Sequence, residues 1–463
     1  MNTLDLGRAG ANRGFVRTRA GIDVNGLART LSGTGEWSAA EWDRAGQLIR
    51  KLEVSGRLDR EYAPNWRART DATPLTSAEL VRVVPVFLAG ARRAQHRGLG
   101  AKCLNAAFRA LDLVRVGGVP PVELEREADA LLDSLDVPVV SGSPWDAAEP
   151  GASSTMATPR TLPLTVLVHE GPQARAYLLE LARRGLRVAR ILHLVRATQR
   201  ATGRPLGRWL PTAWRTRYAL CVGEVAEFHW PRRLRSQCPA LFDAVLTALT
   251  PVTPDPRATI EALVGSFDYA AFADRYDRCL VDDLRDPRLA ATLRDLAPGT
   301  VLFTGGGIVP RTLLEVPGLR FLHVHPGTLP AVRGADGLLW SVWLRGRPGC
   351  SAFFMDAGID TGDLIAAADA PPIEVSLPNA SRPSSDLLYR SVFSYIDPLL
   401  RARFLCDHVL PNPPDDLRDL PARPQRPTDG QTYHFMHPRL RERALAHIFR
   451  SSRTAEHPDR RTI

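Results

Sequence analysis

Lysine is almost absent from this sequence: Lys51 and Lys102 are the only two in 463 residues, so arginine carries the formal net charge of +10. The arginines are spread along the chain beside acidic residues and form no basic block. Proteins that bind nucleic acid release counterions by gathering positive charge against phosphate. We therefore expect no nucleic-acid partner, and interpret the arginine, together with the abundant Ala, Pro and Leu, as the composition of a GC-rich genome.

Long apolar runs are missing as well. No stretch reaches the roughly 18 to 20 apolar residues of a membrane helix, and the first residues lack the apolar core of a signal peptide. The six cysteines lie far apart, without the Cys-x-x-Cys pair that is typical of a metal knuckle or a redox dithiol. We therefore expect a cytoplasmic protein with no membrane partner, reduced thiols and no bound metal.

The chain is long enough for several segments of different character. Residues 1–36 lack apolar periodicity and are predicted to be loosely ordered, whereas capping patterns predict a helical domain over 37–140. Gly, Ser and Pro dominate 141–163, which we interpret as a linker. An α/β domain is predicted over 164–405, and a Pro-rich segment with a C-terminal helix over 406–463.

The α/β prediction depends on strand and helix patterns that alternate. Apolar strands at 164–168 and 188–195 flank a helical pattern at 173–184, and a further strand follows at 301–304. Strand, helix and strand within about thirty residues form a βαβ unit, which requires a parallel sheet. The first turn lacks the G-x-G-x-x-G pattern, so a dinucleotide is not indicated. We predict a doubly wound, mostly parallel sheet.

Candidate catalytic residues follow one of these strands. The predicted strand 321–325 ends in His323 and His325, and a spacing of two residues places both rings on one face near its carboxyl end. Open α/β sheets bind ligands at that edge. A second loop, 355–362, is punctuated by glycine and carries Asp360. Such a loop can bring a carboxylate to an imidazole.

Four strings in this part of the chain resemble the formyltransferase family. They are VLFTGGGIVP at 301–310, HVHPGTLPAVRGADG at 323–337, a Trp-containing helix near 338–344, and MDAGIDTGDLI at 355–365. With the βαβ opening at 164, the resemblance covers about 164–400 and excludes the N-terminal helices. It implies a formyltransferase-like fold for the predicted α/β domain.

The resemblance also implies an activity and roles for the candidate residues. His325 matches the histidine that polarises the formyl group of 10-formyltetrahydrofolate and stabilises the oxyanion as an amine attacks. Asp360 matches the aspartate that sets the histidine's protonation and assists proton removal. Family members that formylate initiator tRNA carry a C-terminal barrel, and the Pro-rich stretch after Leu405 is too short for one. We therefore expect a small-molecule amine acceptor in specialised biosynthesis.

Binding of the formyl donor is assigned, through the same resemblance, to backbone and side chains of two loops. The residues concerned are Gly305, Gly306, Gly307, Ile308, Met355, Asp356 and Gly358. Asp356 is in addition predicted to cap its own loop.

His323 is where the sequence departs from the family pattern, which has asparagine at this position. An amide donates a hydrogen bond at every pH, whereas an imidazole nitrogen donates only when it carries the proton. We expect His323 to take the asparagine's place as a donor to the oxyanion. In that case asparagine at position 323 would be tolerated.

Three other interpretations remain open from the sequence. The same residues could hydrolyse formyltetrahydrofolate with water as the acceptor. Two histidines and a carboxylate could instead hold iron or zinc. The domain could also bind a ligand without catalysing a reaction.

Overall fold

The computed structural model describes residues 31, 37–55, 75–94, 96–138, 159–199, 202–378, 383–426 and 429–451. Most of the predicted loosely ordered N-terminus and of the predicted linker lies outside these residues. No helix within the described ranges is long and apolar enough to cross a membrane.

Among the described residues from 37 onward, four helices precede the sheet, as the capping patterns predict. They are α1 (Ala39–Ser55), α2 (Ser77–Arg93), α3 (Arg97–Gly117) and α4 (Val122–Asp133). Helix α2 begins with a capping box, in which Thr76 accepts from the backbone of Glu79 and the Glu79 side chain reaches back to Thr76. The side chains between them form an apolar core that includes Phe87 and Leu104.

The rest of the chain alternates strands with helices. The strands are β1 (Arg160–His169), β2 (Leu186–Arg196), β3 (Ala273–Val281), β4 (Gly299–Phe303), β5 (Leu319–His325), β6 (Val332–Gly334), β7 (Gly349–Phe354), β8 (Leu364–Asp369), β9 (Val375–Leu377), β10 (Gln431–Tyr433) and β11 (Phe449–Ser451). The helices are α5 (Pro172–Arg183), α6 (Thr212–Glu227), α7 (His229–Gln237), α8 (Pro239–Ala248), α9 (Pro256–Val264), α10 (Pro287–Arg294), α11 (Arg311–Leu314), α12 (Gly337–Arg345), α13 (Ser385–Ser391), α14 (Asp397–Phe404) and α15 (Pro438–Ile448).

Seven strands form one sheet in the order β3-β2-β1-β4-β5-β7-β8. The first five are parallel, whereas β7 and β8 are antiparallel to their neighbours. The predicted α/β class with a mostly parallel sheet is therefore confirmed. Strand order reverses between β1 and β4, which makes their carboxyl ends the topological switch point where such sheets bind ligands.

Helices cover both faces of the sheet, and alternate residues of one strand show this. Val166 and Val168 belong to one buried apolar cluster, whereas Leu167 between them belongs to another. The second cluster contains side chains of α10 and α11, while α5 contributes to the first. Successive residues of a strand point to opposite faces, so the sheet is doubly wound.

Two predicted boundaries need correction. β1 begins at Arg160, inside the segment interpreted as a linker, because residues 160–162 pair with β2 from Leu186 onward. The C-terminal helix, whose pattern predicts an extent from Pro438 to Arg450, ends at Ile448, because the next residues form β11 and pair with β9. In both places strand pairing decides the boundary.

A buried ion pair on α14 provides a stability prediction. Asp397 Oδ2 lies 3.4 Å from Arg401 Nη1, and both residues are buried. Asp397→Ala removes the carboxylate that compensates a buried guanidinium, so the free energy of unfolding should fall by about 3 to 5 kcal/mol. Urea denaturation followed by circular dichroism measures this change.

The neighbouring helix α13 offers a matched control. Asp386 and Arg390 form another i,i+4 pair, at 3.7 Å, but the Asp386 side chain is exposed. Asp386→Ala should cost less than about 0.5 kcal/mol. Equal losses from the two substitutions would show that burial does not set the contribution of the Asp397 pair.

Candidate active site

His325 lies at the end of β5, buried and enclosed on one side by backbone. Its Nε2 is 3.0 Å from the carbonyl oxygen of Val332, and its Nδ1 is 3.4 Å from Oδ2 of Asp360. A Cβ added to Gly327 or Gly337 would lie 2.7 or 2.8 Å from Nε2. These two glycines are therefore needed for the close approach of the backbone to the ring.

Asp360 reaches His325 from the loop that follows β7. Because β7 is antiparallel to β5, this loop begins beside Leu322 and then returns to the histidine. Asp360 adopts φ 54°, a left-handed conformation that is uncommon for a residue other than glycine. The backbone N–H of Gly334 donates to its Oδ2 at 2.7 Å. The predicted meeting of His325 and Asp360 is present in the structure.

Asp356 caps the same loop, as predicted. Its Oδ1 accepts from the backbone N–H of Gly358 at 2.9 Å and from Oγ1 of Thr361 at 2.7 Å. These bonds fix the turn that leads into Asp360.

The hydrogen-bond partners of His325 show that the ring, together with Asp360, can bind one more proton. A neutral imidazole has one N–H, but both nitrogens of His325 face oxygen acceptors, Val332 O and Asp360 Oδ2. Burial lowers the pKa of His325, and the Asp360 carboxylate opposes that shift. The resting ring is therefore neutral, and an added proton would satisfy both acceptors together.

His323 shares the strand face of His325 but has different partners. Its Nδ1 lies 3.0 Å from the carbonyl oxygen of Phe303 on β4. Burial, with a smaller contribution from the charge of Arg401, lowers the pKa of His323 to about 3. A neutral ring that donates from Nδ1 to Phe303 presents Nε2 as an acceptor. The geometry thus favours an acceptor at this position, not the oxyanion donor expected from the sequence.

The residues predicted to bind the formyl donor lie on two loops that meet on one face of the sheet. Val309, after the glycines 305–307, and Met355 pack in the same apolar cluster. Ile308 is 64% exposed and Ile359 is 42% exposed. A Cβ added to Gly306 would meet no described atom within 4 Å, so there is open space beside this part of the first loop.

A cavity of about 320 Å³ adjoins the second loop. Phe321, Met355, Asp356 and Gly362 are among the residues that line it. Polar side chains, Arg320 and Gln425 among them, also line this cavity, and it lies toward the amino end of β5, whereas His325 lies at the carboxyl end. The exposed apolar side chains of Ile308 and Ile359, and not this cavity, fit the flat ring of a reduced folate.

Other contacts around the histidine could not be identified from sequence motifs. The Val332 carbonyl and the Gly334 N–H come from β6, a strand of three residues, and Gln425 contacts the backbone of Asp360 from a distant part of the chain. Only the RGADG string, which contains Gly334, signalled this loop.

The metal interpretation of the site has no support in the structure. Within the described ranges, no three His, Cys, Asp or Glu side chains are arranged to hold a metal ion. His323 and His325 instead direct ring nitrogens at backbone carbonyls of Phe303 and Val332.

Fold and site together define a doubly wound α/β protein with a histidine–aspartate pair near its switch-point edge. Residues 272–376, which contain all the candidate catalytic residues, match the family model described as formyl transferase. This region of the chain is therefore similar to the formyltransferase family, whose members are transferases.

Individual relatives match over similar stretches. Methionyl-tRNA formyltransferase of Syntrophus aciditrophicus is 33% identical over 117 residues, which are 24% of this chain and 37% of that protein. Methionyl-tRNA formyltransferase of Chloroflexus aggregans is 38% identical over 96 residues, covering 20% of this chain and 31% of that protein. The chain thus spans about a third of the length of these relatives.

Solved structures align weakly. A sugar N-formyltransferase from a Shewanella species has a TM-score of 0.32 at 12% identity, covering 63% of this chain and 89% of that one. HypX from Aquifex aeolicus, in complex with tetrahydrofolic acid, has a TM-score of 0.25 at 13% identity, covering 61% of this chain and 31% of that one.

Proposed function

We propose that this protein transfers a formyl group from 10-formyltetrahydrofolate to an amine of a small molecule. The observation that carries the proposal is the contact of buried His325 with partly buried Asp360, within the region that matches the family model. Ile308 and Ile359, one on each of the two loops predicted to bind the donor, are exposed apolar side chains that fit its ring.

The bound folate would supply an activated formyl group on N10, and the protein supplies positioning and proton transfer. An attacking amine must lose a proton as its nitrogen bonds to the formyl carbon, while negative charge develops on the formyl oxygen. Nε2 of His323 accepts a hydrogen bond from the amine and directs its lone pair at the carbon. The proton passes to the His325–Asp360 pair, which can bind one more proton.

The protonated pair also stabilises the developing oxyanion. Its imidazolium is held by Val332 O and Asp360 Oδ2, and places a positive charge in a buried setting, where electrostatic stabilisation is strongest. The pair then returns the proton to the departing folate nitrogen, as the bond between that nitrogen and the formyl carbon breaks. The amine's proton thus ends on the folate nitrogen, so every bond and proton in the transfer is accounted for.

A small acceptor is favoured by the described residues that follow the matched region. Strand β10 pairs with β6, β11 pairs with β9, and Phe435 O accepts from Arg109 of α3 at 2.7 Å. Because these residues fold back onto the site and the helical region, they contribute no separate tRNA-binding barrel. A role in specialised biosynthesis is part of this proposal.

A reduced folate with an N10 substituent should bind and raise the melting temperature of the protein. Calorimetry and thermal unfolding measure both effects. Ile308→Asp should weaken binding at least about tenfold, because it places a charge beside the apolar ring.

Val119, which is 88% exposed on the helical region, provides the matched control. Val119→Asp should leave folate affinity unchanged. A protein that shows neither binding heat nor stabilisation with such a folate would exclude the folate proposal.

A further inference from the structure

We infer that the C-terminal segment is part of the catalytic site and that Gln425 is a positioning residue for Asp360. This inference rests on the function proposed above. Residues 423–426 and β10 lie outside the region that matches the family model, and the sequence placed them in a Pro-rich tail. In the structure these two stretches contact the backbone on both sides of the histidine–aspartate pair.

Gln425 holds the loop that presents Asp360. Its Nε2 donates to the carbonyl oxygens of Asp360 at 3.1 Å and of Gly362 at 2.7 Å. Two residues farther, the backbone of Leu364 exchanges two hydrogen bonds with that of Arg423, at 2.8 and 2.9 Å. The left-handed conformation of Asp360 is intrinsically disfavoured, so these contacts stabilise a backbone geometry that the aspartate alone would not keep.

Strand β10 supports the backbone that contacts His325. Its residues Gln431–Tyr433 pair in parallel with Val332–Gly334, the strand that supplies the carbonyl for His325 and the N–H for Asp360. Arg333, which lies between Val332 and Gly334 in β6, is buried and connects β10 with residues 423–426. Its Nη2 donates to Oε1 of Gln425 at 3.3 Å and to the carbonyl oxygen of Arg426 at 3.1 Å.

The consequence is that Gln425 acts through Asp360 and not on the substrate. Asp360 Oδ2 already lies 3.4 Å from His325 Nδ1, so a small displacement of its loop lengthens the contact that must receive the proton. Misplacement of a catalytic group by about 1 Å can lower the rate by up to a hundredfold. Loss of Gln425 should therefore affect turnover while substrate affinity is kept.

Gln425→Ala and Gln425→Glu test this inference in the full chain. Glutamate keeps the shape of the side chain but cannot donate to the two carbonyls. Both variants should lower kcat of formyl transfer about tenfold or more, with little change in KM for the folate. In an Asp360→Asn background, Gln425→Ala should cause little further loss, because both changes act through one carboxylate.

Gln237, whose Oε1 accepts from Arg233 on α7, provides the matched control. Gln237→Ala should leave kcat unchanged. Hydrogen–deuterium exchange supplies a second readout that is independent of activity, and residues 355–363 should exchange faster in both Gln425 variants.

Unchanged kcat with unchanged exchange would overturn the inference, as would losses that add fully to that of Asp360→Asn. If the wild-type protein transfers no formyl group, the proposed function fails. The exchange of residues 355–363 then decides separately whether Gln425 holds the loop.

Discussion

His325→Ala and Asp360→Asn are each expected to lower kcat/KM for formyl transfer at least about a hundredfold. Alanine removes the ring that takes up the amine's proton and carries positive charge beside the oxyanion. Asparagine keeps the shape of Asp360 and can still accept from Gly334, but it removes the negative charge that stabilises the imidazolium. Because both groups act mainly as charge develops, kcat should fall more than folate affinity.

Steady-state kinetics measure these losses, and circular dichroism verifies that each variant is folded. Asp363→Asn is a suitable control, since this carboxylate lies in the same loop but is exposed and 3.7 Å from Arg320. It should stay within about twofold of the wild type, because an exposed ion pair contributes little. Near-normal turnover in either catalytic variant would mean that the proton goes elsewhere.

His323→Ala should lower turnover about a hundredfold, and His323→Asn should be almost as harmful. The reason is the bond from Nδ1 to Phe303 O, which leaves Nε2 as an acceptor for the amine. An asparagine side chain is shorter, and if its amide nitrogen replaces the donor to Phe303, its oxygen does not reach the position of Nε2. The turnover rates of the wild type and of both variants, measured with a saturating amine, give the comparison.

His229 is an exposed histidine on α7 and serves as the control for this pair of substitutions. His229→Asn should have no effect on turnover. If His323→Asn were as active as the wild type while His323→Ala were not, the site would need a donor at this position. The expectation drawn from the sequence would then be right, and the acceptor role assigned from the structure would be wrong.

The difference between these two expectations shows what the sequence could and could not predict. Period-2 spacing predicted that His323 and His325 share a strand face, and the glycine-punctuated loop predicted the approach of Asp360. Both are local patterns. Which ring nitrogen of His323 carries the proton depends on the carbonyl oxygen of Phe303, 20 residues earlier on the neighbouring strand. No sequence motif indicates this contact.

The C-terminal segment makes the same point for the fold. Its proline content suggested a tail outside the α/β domain, yet Gln425 contacts the backbone of a residue 65 positions earlier. Strand β10 has only three residues, too few for a periodic signal, and forms because β6 offers it a partner. Short strands of this kind depend on tertiary pairing, so residue propensities do not predict them.

The function proposed for the His325–Asp360 pair is transfer of a formyl group from a reduced folate to an amine. Its most direct test uses 10-formyltetrahydrofolate and hydroxylamine, a small nucleophile that stands in for the acceptor, and measures the formohydroxamate produced. The wild-type protein should form the product in a saturable reaction, and this activity should be lost in His325→Ala and in Asp360→Asn. Product at the uncatalysed rate, or at equal rates in all three proteins, would contradict it.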